Sequence, residues 1–164
     1  MQDSRQLWST INWKRPDYSS VLFERARRLT DIRNDKNSAQ LIAELKAFYK
    51  EHPVEFIIDW GMTSDPRNAE IGLPVTAPFI LFPKQIEYIE WLRSRWLARE
   101  DGLAEKSREM GVSWLCVAFA VWMWVFYPEV VIGMGSRKEE YVDNGGDPKS
   151  LFWKVRTFIE MLPM

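Results

Sequence analysis

The residues best suited to chemistry form a short polar loop, residues 105–113, directly before a long apolar run. Gly111 and Ser113 have the spacing of the second glycine and the magnesium-binding hydroxyl of a phosphate-binding loop. Val112 replaces the usual lysine of that loop, and Lys106 replaces its first glycine. The spacing leaves two interpretations open, a variant phosphate-binding loop or an ordinary strand-to-helix turn that carries charged residues.

The chemistry of phosphate binding tolerates these replacements. Backbone N–H groups converge on an anion at a helix N-terminus, and the helix dipole adds about half a positive charge there. A lysine at the front of the loop, Lys106, can supply the cation near the β and γ phosphates. Ser113, on the first turn of the predicted helix, can still hold a magnesium ion.

A second candidate group lies upstream, in the segment Phe79–Gln85. The amide of Gln85 has both a donor and an acceptor and can pair with N6 and N7 of adenine. Phe82, three residues earlier, offers a ring that can pack on the base. The alternative is that Gln85 is an ordinary solvated residue of a helix that begins at Pro83.

Composition and charge narrow the class of protein. The chain has 164 residues, 46% hydrophobic and 14% aromatic, which suffices for a packed core. The net charge of -1 gives no overall basic field for nucleic acid. Residues 1–50 carry ten Lys/Arg against six Asp/Glu, which suits either DNA contact or a solvated helix face. The single cysteine, Cys116, excludes an internal disulfide and is interpreted as a core residue.

The apolar run Trp114–Tyr127 has fourteen residues, fewer than the ~20 that a membrane-spanning helix needs. We therefore expect a buried helix over 112–127 and no membrane association. The polar N-terminus also lacks the apolar segment of a signal peptide.

Periodicity and turn residues predict the remaining elements. Helices are expected over 20–33, 38–49 and 83–99, and a last helix is expected to start at Asp147-Pro148. Short strands are expected at Leu103–Lys106 and Val130–Met134, on either side of the buried helix.

A strand, a helix and a second strand form a βαβ unit, which implies a parallel sheet. The predicted fold class is therefore α/β, a partial P-loop NTPase-type parallel sheet preceded by an α-helical N-terminal region. The predicted domains are residues 1–75, the helical region, and residues 76–164, the first part of a P-loop ATPase domain.

Residues 106–115, Lys-Ser-Arg-Glu-Met-Gly-Val-Ser-Trp-Leu, resemble the variant Walker A motif of the large terminase subunit of tailed bacteriophages. In that family a lysine or arginine stands at the front of the loop and the usual lysine can be lost. Three further stretches resemble the family in the same order, and the segment 79–85 is similar to its adenine-binding segment. The other two are 55–67 and 145–163. Residues 1–49 lie outside the resemblance.

The resemblance implies the ATP-driven motor that packages double-stranded DNA into phage proheads. ATP and Mg²⁺ are the implied cofactors, and Ser113 is the implied metal ligand. Gln85 and Phe82 would read adenine, while Lys106 and Arg108 would contact phosphates. The full set of implied nucleotide-binding residues is Phe82, Gln85, Lys106, Ser107, Arg108, Glu109, Met110, Gly111, Val112, Ser113 and Trp114.

The implied partners are double-stranded DNA, the small terminase subunit and the portal protein. The resemblance further implies a homo-oligomer assembled on the portal, in the cytoplasm of the host cell.

An ATPase of this class also needs an apolar strand that ends in Asp-Glu. No such strand follows Ser113, and Phe56–Asp59 imitates the pattern before the loop instead of after it. The catalytic acid is therefore not assigned, and the chain is expected to stop before Walker B. We expect it to hydrolyse ATP poorly or not at all by itself.

Two other interpretations of the function stay open. A helicase-like P-loop ATPase shares the glutamine segment, but helicases keep the Gly-Lys-Thr that Val112 interrupts here. A non-catalytic interaction module, such as a prophage remnant, is compatible with the nine tryptophans and the missing acidic strand.

Overall fold

The computed structural model of the chain describes residues 11–12, 16–107 and 110–163. The chain divides into two compact units, residues 1–80 and 81–164. Arg108 and Glu109, two of the predicted site residues, lie outside the described residues.

The described residues of the first unit form three α-helices and one small hairpin, whose strands are connected through a 3-10 helix, Pro66–Ile71. The helices are α1 (Tyr18–Asn34), α2 (Ser38–Glu51) and α3 (Pro53–Trp60), and the strands are β1 (Met62–Ser64) and β2 (Thr76–Pro78). The strands pair antiparallel, with Thr63 opposite Ala77. Asp17 caps α1 by accepting a hydrogen bond from the Ser20 N–H at 3.1 Å. The predicted helices over 20–33 and 38–49 are confirmed.

A buried polar cluster connects the three helices of this unit. The Asp59 side chain is 7% exposed and accepts a hydrogen bond from Tyr49 Oη at 2.9 Å. The other Asp59 oxygen pairs with Arg28 Nη1 at 3.1 Å. Arg25 donates to the carbonyl oxygens of Ile58 and Gly61, where the C-terminal end of α3 favours a cation. Side chains of α1 and α2 thus both bind the C-terminal end of α3.

The Tyr49 hydroxyl makes this cluster sensitive to alkaline pH. Burial, followed by the charge of Asp59, raises the pKa of Tyr49 above its usual value. An unfolded tyrosine loses its proton near pH 10, whereas the folded one keeps it. The stability due to Tyr49 is therefore complete below about pH 10 and is lost as the pH rises further.

We expect Tyr49 to lower the free energy of unfolding of the first unit by about 1.4 kcal/mol per pH unit above pH 10, measured as the difference between the wild type and Tyr49→Phe. Urea denaturation between pH 8 and pH 11 measures this slope. Tyr49→Phe should be less stable at pH 8, because Asp59 loses a donor, but should have a shallower alkaline slope. Equal slopes in the two proteins would contradict this role of Tyr49.

The described residues of the second unit form three α-helices, α4 (Pro83–Ala98), α5 (Val112–Phe126) and α6 (Leu151–Glu160), and a short 3-10 helix, Glu139–Tyr141. Trp122 on α5 and Phe158 on α6 are fully buried. Trp122 also meets the rings of Trp96 and Tyr127 edge to face, with centroids 5.8 and 5.3 Å apart. The apolar run predicted as a buried helix is therefore the central helix of this unit. None of the described helices combines the length and the apolar character needed to cross a membrane.

The predicted α/β class with a parallel P-loop-type sheet is wrong. The described residues are mostly helical, and β1 and β2 form their only sheet, which is antiparallel. Leu103–Lys106 and Val130–Met134 are irregular, and Leu103 and Val131 are 97% and 95% exposed. A strand requires the backbone of a neighbour, and within the described part of the chain neither segment pairs with one. The predicted βαβ unit is absent from the described residues for that reason.

The predicted start of the last helix is also wrong. Asp147 forms a turn, because its carboxylate accepts from the Lys149 N–H at 2.9 Å and its carbonyl accepts from the Ser150 N–H at 3.0 Å. Ser150 is the N-cap, and its hydroxyl accepts a hydrogen bond from the Trp153 N–H at 3.3 Å. Lys154 Nζ closes the turn by donating to the carbonyl oxygen of Pro148 at 2.6 Å.

Candidate functional site

The candidate site lies in the second unit, in the loop between α4 and α5. Residues 101–107 are exposed throughout, including the predicted phosphate-contacting Lys106 and its neighbour Ser107. Met110 is 46% exposed at the other end of the loop. The described loop side chains are therefore accessible to a ligand.

Gly111 forms the turn that leads into α5. Its φ of 73° lies in the left-handed region, which glycine adopts without a steric penalty. The N–H groups of Trp114 and Leu115 both donate to the carbonyl oxygen of Gly111, at 2.9 and 3.1 Å. The first-turn N–H groups at Val112 and Ser113 occupy positions that lack an acceptor within a helix. The turn therefore presents the positive end of a 15-residue helix.

The first-turn side chains of α5 divide between solvent and core. Ser113 is exposed, so its hydroxyl is accessible to an ion, and Val112 is half-buried. Trp114 is only 9% exposed and packs in the core. Trp114, which was predicted to bind nucleotide, is therefore placed where it supports the helix.

The structure brings the two predicted segments together through Gln85. Its Oε1 accepts a hydrogen bond from the Phe82 N–H at 2.9 Å, and its Nε2 donates to the carbonyl oxygen of Met110 at 3.1 Å. The Gln85 side chain is buried at 9% exposure, whereas the ring of Phe82 is 47% exposed. The glutamine predicted to read adenine thus contacts the loop predicted to bind phosphate.

Half of the hydrogen-bonding capacity of Gln85 is used in these two contacts. An amide side chain has two donor hydrogens and two acceptor lone pairs, and one of each is engaged by backbone groups. The sequence contained a signal for the first contact. Gln85 is the third residue of α4, the position from which glutamine reaches back to the N-cap N–H of a helix.

The candidate metal position has few protein ligands. Within the described residues, no group of three or more His, Cys, Asp or Glu side chains can hold a metal ion. Ser113 would be one protein ligand, and phosphate oxygens and water would supply most of the octahedral shell of Mg²⁺.

The two concave features described in the second unit include neither Lys106 nor the turn at Gly111. The larger, of about 530 Å³, is lined by residues 95–97 and 99–101. The other is an apolar groove of about 230 Å³ formed by α5, α6 and the segment 130–134. The candidate site is therefore an exposed turn at a helix end, and a ligand would be held mainly by its charged groups.

Comparison of the chain with protein-family models, with curated proteins and with solved structures finds no significant match.

Proposed function

We propose that this chain is the nucleotide-binding part of an ATP-driven motor that packages double-stranded DNA into phage proheads. The observation that carries the proposal is the turn at Gly111, which opens a long helix directly behind an exposed, lysine-bearing loop. Backbone N–H groups, a helix dipole and a nearby cation are the three features that bind phosphate at a helix end.

In this proposal the triphosphate of ATP lies against the first turn of α5. Lys106 contacts the phosphates, and the Ser113 hydroxyl is a ligand of Mg²⁺. The half-exposed ring of Phe82 packs on the base. The residues that we assign bind nucleotide, and none of them is assigned to the hydrolytic step.

The wider assignment follows from the order of the motifs along the sequence. The segments 55–67, 79–85, 106–115 and 145–163 occur in the order found in large terminase subunits. We accordingly propose double-stranded DNA, the small terminase subunit and the portal protein as partners of the motor, and the host cytoplasm as its compartment.

Nucleotide titration tests the site directly. We expect Lys106→Ala to weaken Mg-ATP binding at least about tenfold, because a hydrogen bond to a charged group contributes roughly 1.5–3 kcal/mol. We expect Ser113→Ala to weaken binding in the presence of Mg²⁺ and to change it little in the presence of EDTA. Isothermal titration calorimetry measures both effects.

Matched controls come from exposed residues of the same unit. Lys149→Ala and Ser136→Ala remove the same chemical groups away from the loop and should leave the affinity unchanged. The site assignment is wrong if Lys106→Ala and Ser113→Ala bind Mg-ATP as tightly as the wild type.

A non-catalytic interaction module is the second candidate. Large apolar side chains are strongly exposed at Leu103, Trp124 and Val131, and such residues favour contact with another protein where they form a patch. A wild-type chain that binds no nucleotide would favour this second function.

A further inference from the structure

Gln85 links the start of α4 to the turn that starts α5. Its amide accepts from the Phe82 N–H on one side and donates to the Met110 carbonyl oxygen on the other, across 25 residues of sequence. The side chain is buried at 9% exposure, so water competes weakly for these two contacts.

The contact with Met110 fixes the direction of the next peptide N–H. A trans peptide is planar, and its carbonyl and N–H point in opposite directions. Because the Met110 carbonyl points toward Gln85, the Gly111 N–H of the same peptide points away from Gln85. The glutamine thereby orients one of the backbone donors of the proposed phosphate loop.

The backbone at Gly111 also lies close to the side-chain amide of Gln85. A Cβ atom added at Gly111 would lie 3.1 Å from Gln85 Nε2, a tighter approach than most such contacts. Glycine is therefore favoured at residue 111 both by its positive φ and by the presence of Gln85.

We propose that Gln85 is a positioning residue that holds the Met110–Gly111 peptide in the orientation that binds phosphate, and that it does not select the base. The identity of the ligand in this inference rests on the proposed function, whereas the positioning of the Met110–Gly111 peptide by Gln85 does not. The substrate class that follows is a triphosphate recognised through its phosphates, so Gln85 contributes equally to binding of ATP, GTP and inorganic tripolyphosphate.

Hydrogen exchange of the ligand-free protein tests the positioning. Gln85→Glu keeps an oxygen that can accept from the Phe82 N–H but has no donor for the Met110 carbonyl. We expect exchange of the Trp114 and Leu115 amides, which donate to the Gly111 carbonyl oxygen, to quicken by about tenfold, the effect of losing one hydrogen bond. Gln40→Glu is the matched control, since Gln40 is the third residue of α2 and is exposed.

Ligand titrations test base selection. With Mg²⁺ present, Gln85→Glu should weaken binding of ATP, GTP and tripolyphosphate by the same factor, about tenfold, and leave the ratio of ATP to GTP affinity unchanged. Gly111→Ala is a second variant, used if Gln85→Glu does not fold, because its added Cβ would crowd Gln85 Nε2. We expect it to lower the affinity for all three ligands by the same factor.

Two results would overturn the inference. One is unchanged exchange of the Trp114 and Leu115 amides in a folded Gln85→Glu protein, since Gln85 then does not hold the turn. The other is a loss confined to ATP, with tripolyphosphate affinity intact, since Gln85 then reads adenine. A wild-type chain that binds none of the three ligands refutes the proposed function, while the exchange measurement still decides whether Gln85 positions the turn.

Discussion

Asp59→Ala is expected to lower the free energy of unfolding of the first unit by about 3–5 kcal/mol, because the substitution removes a buried carboxylate that compensates the charge of the buried Arg25. Asp59 is 7% exposed and accepts from Tyr49 and Arg28. Without it, the Tyr49 hydroxyl loses its acceptor and Arg28 loses its partner on α3. Burial lowers the pKa of Arg25 to about 10, and the charge of Asp59 opposes that shift. Arg25 would then be a buried cation with less compensation.

The control for this prediction is Asp31→Ala. Asp31 is exposed and pairs with Arg27 at 3.0 Å on the same helix, and such surface pairs contribute about 0.3–0.5 kcal/mol. Urea denaturation, combined with hydrogen exchange of the α3 amides, measures both variants. Asp59→Asn should fall between Asp59→Ala and wild type, since it keeps an oxygen for Tyr49. Equal costs for Asp59→Ala and Asp31→Ala would show that the cluster does not stabilise the unit.

Helices α1, α2 and α4 were predictable because their signals are local. The spacing of apolar residues in 20–33 and 38–49 and the proline at residue 83 indicate helices without reference to the rest of the chain. The structure places α1, α2 and α4 within two residues of the predicted ends. Signals of this kind lie within the segment that forms the helix.

The strands were not predictable in the same way, because a strand is a property of two segments. Val130–Met134 is a short apolar run, and its sequence does not say which backbone would pair with it. The structure instead covers α5 with other helices, and Val130, Ile132 and Met134 line a groove beside α5 and α6. Side chains that fit a strand by alternation here pack on a helical surface.

The start of α6 shows how two local signals can compete. Asp147-Pro148 and Ser150 both suit a helix start. Ser150 caps the helix, and the buried Lys154 donates to the carbonyl oxygens of Pro148 and Ser150. Lys154 lies one helical turn after the N-cap Ser150. Its contact with Pro148 stabilises Asp147-Pro148 as a chain reversal that precedes the helix.

The turn and the helix start of the candidate site were predictable from the sequence, whereas the contact that Gln85 makes with the turn was not. The spacing of Gly111 and Ser113 identified the turn and the helix start, both of which the structure contains. The contact between Gln85 and Met110 joins residues 25 apart and depends on how α4 packs on α5. Spacing within one motif carries no information about such a contact. The role of Asp59 was missed likewise, since Tyr49 and Arg28 lie on other helices.

Trp122→Ala is expected to lower the free energy of unfolding of the second unit by about 3–5 kcal/mol, the usual cost of removing a large buried aromatic side chain. Trp122 is fully buried, and its ring contacts Trp96, Phe119 and Tyr127. These contacts join the end of α4 to α5 and to the residue that ends α5. The substitution therefore leaves a cavity at the centre of an aromatic cluster.

Trp124→Ala is the matched control for Trp122→Ala, since Trp124 is two residues along the same helix and 60% exposed. Its loss should cost about 1 kcal/mol or less, and equal costs would contradict the assigned core. Urea denaturation and hydrogen exchange of α5 and α6 measure the difference. Trp122 lies near the end of α5 opposite to Gly111, so Trp122→Ala should reduce the folded fraction and leave the Mg-ATP affinity of each folded molecule unchanged. A loss of affinity in molecules that remain folded would mean that the turn at Gly111 depends on the packing of the whole helix.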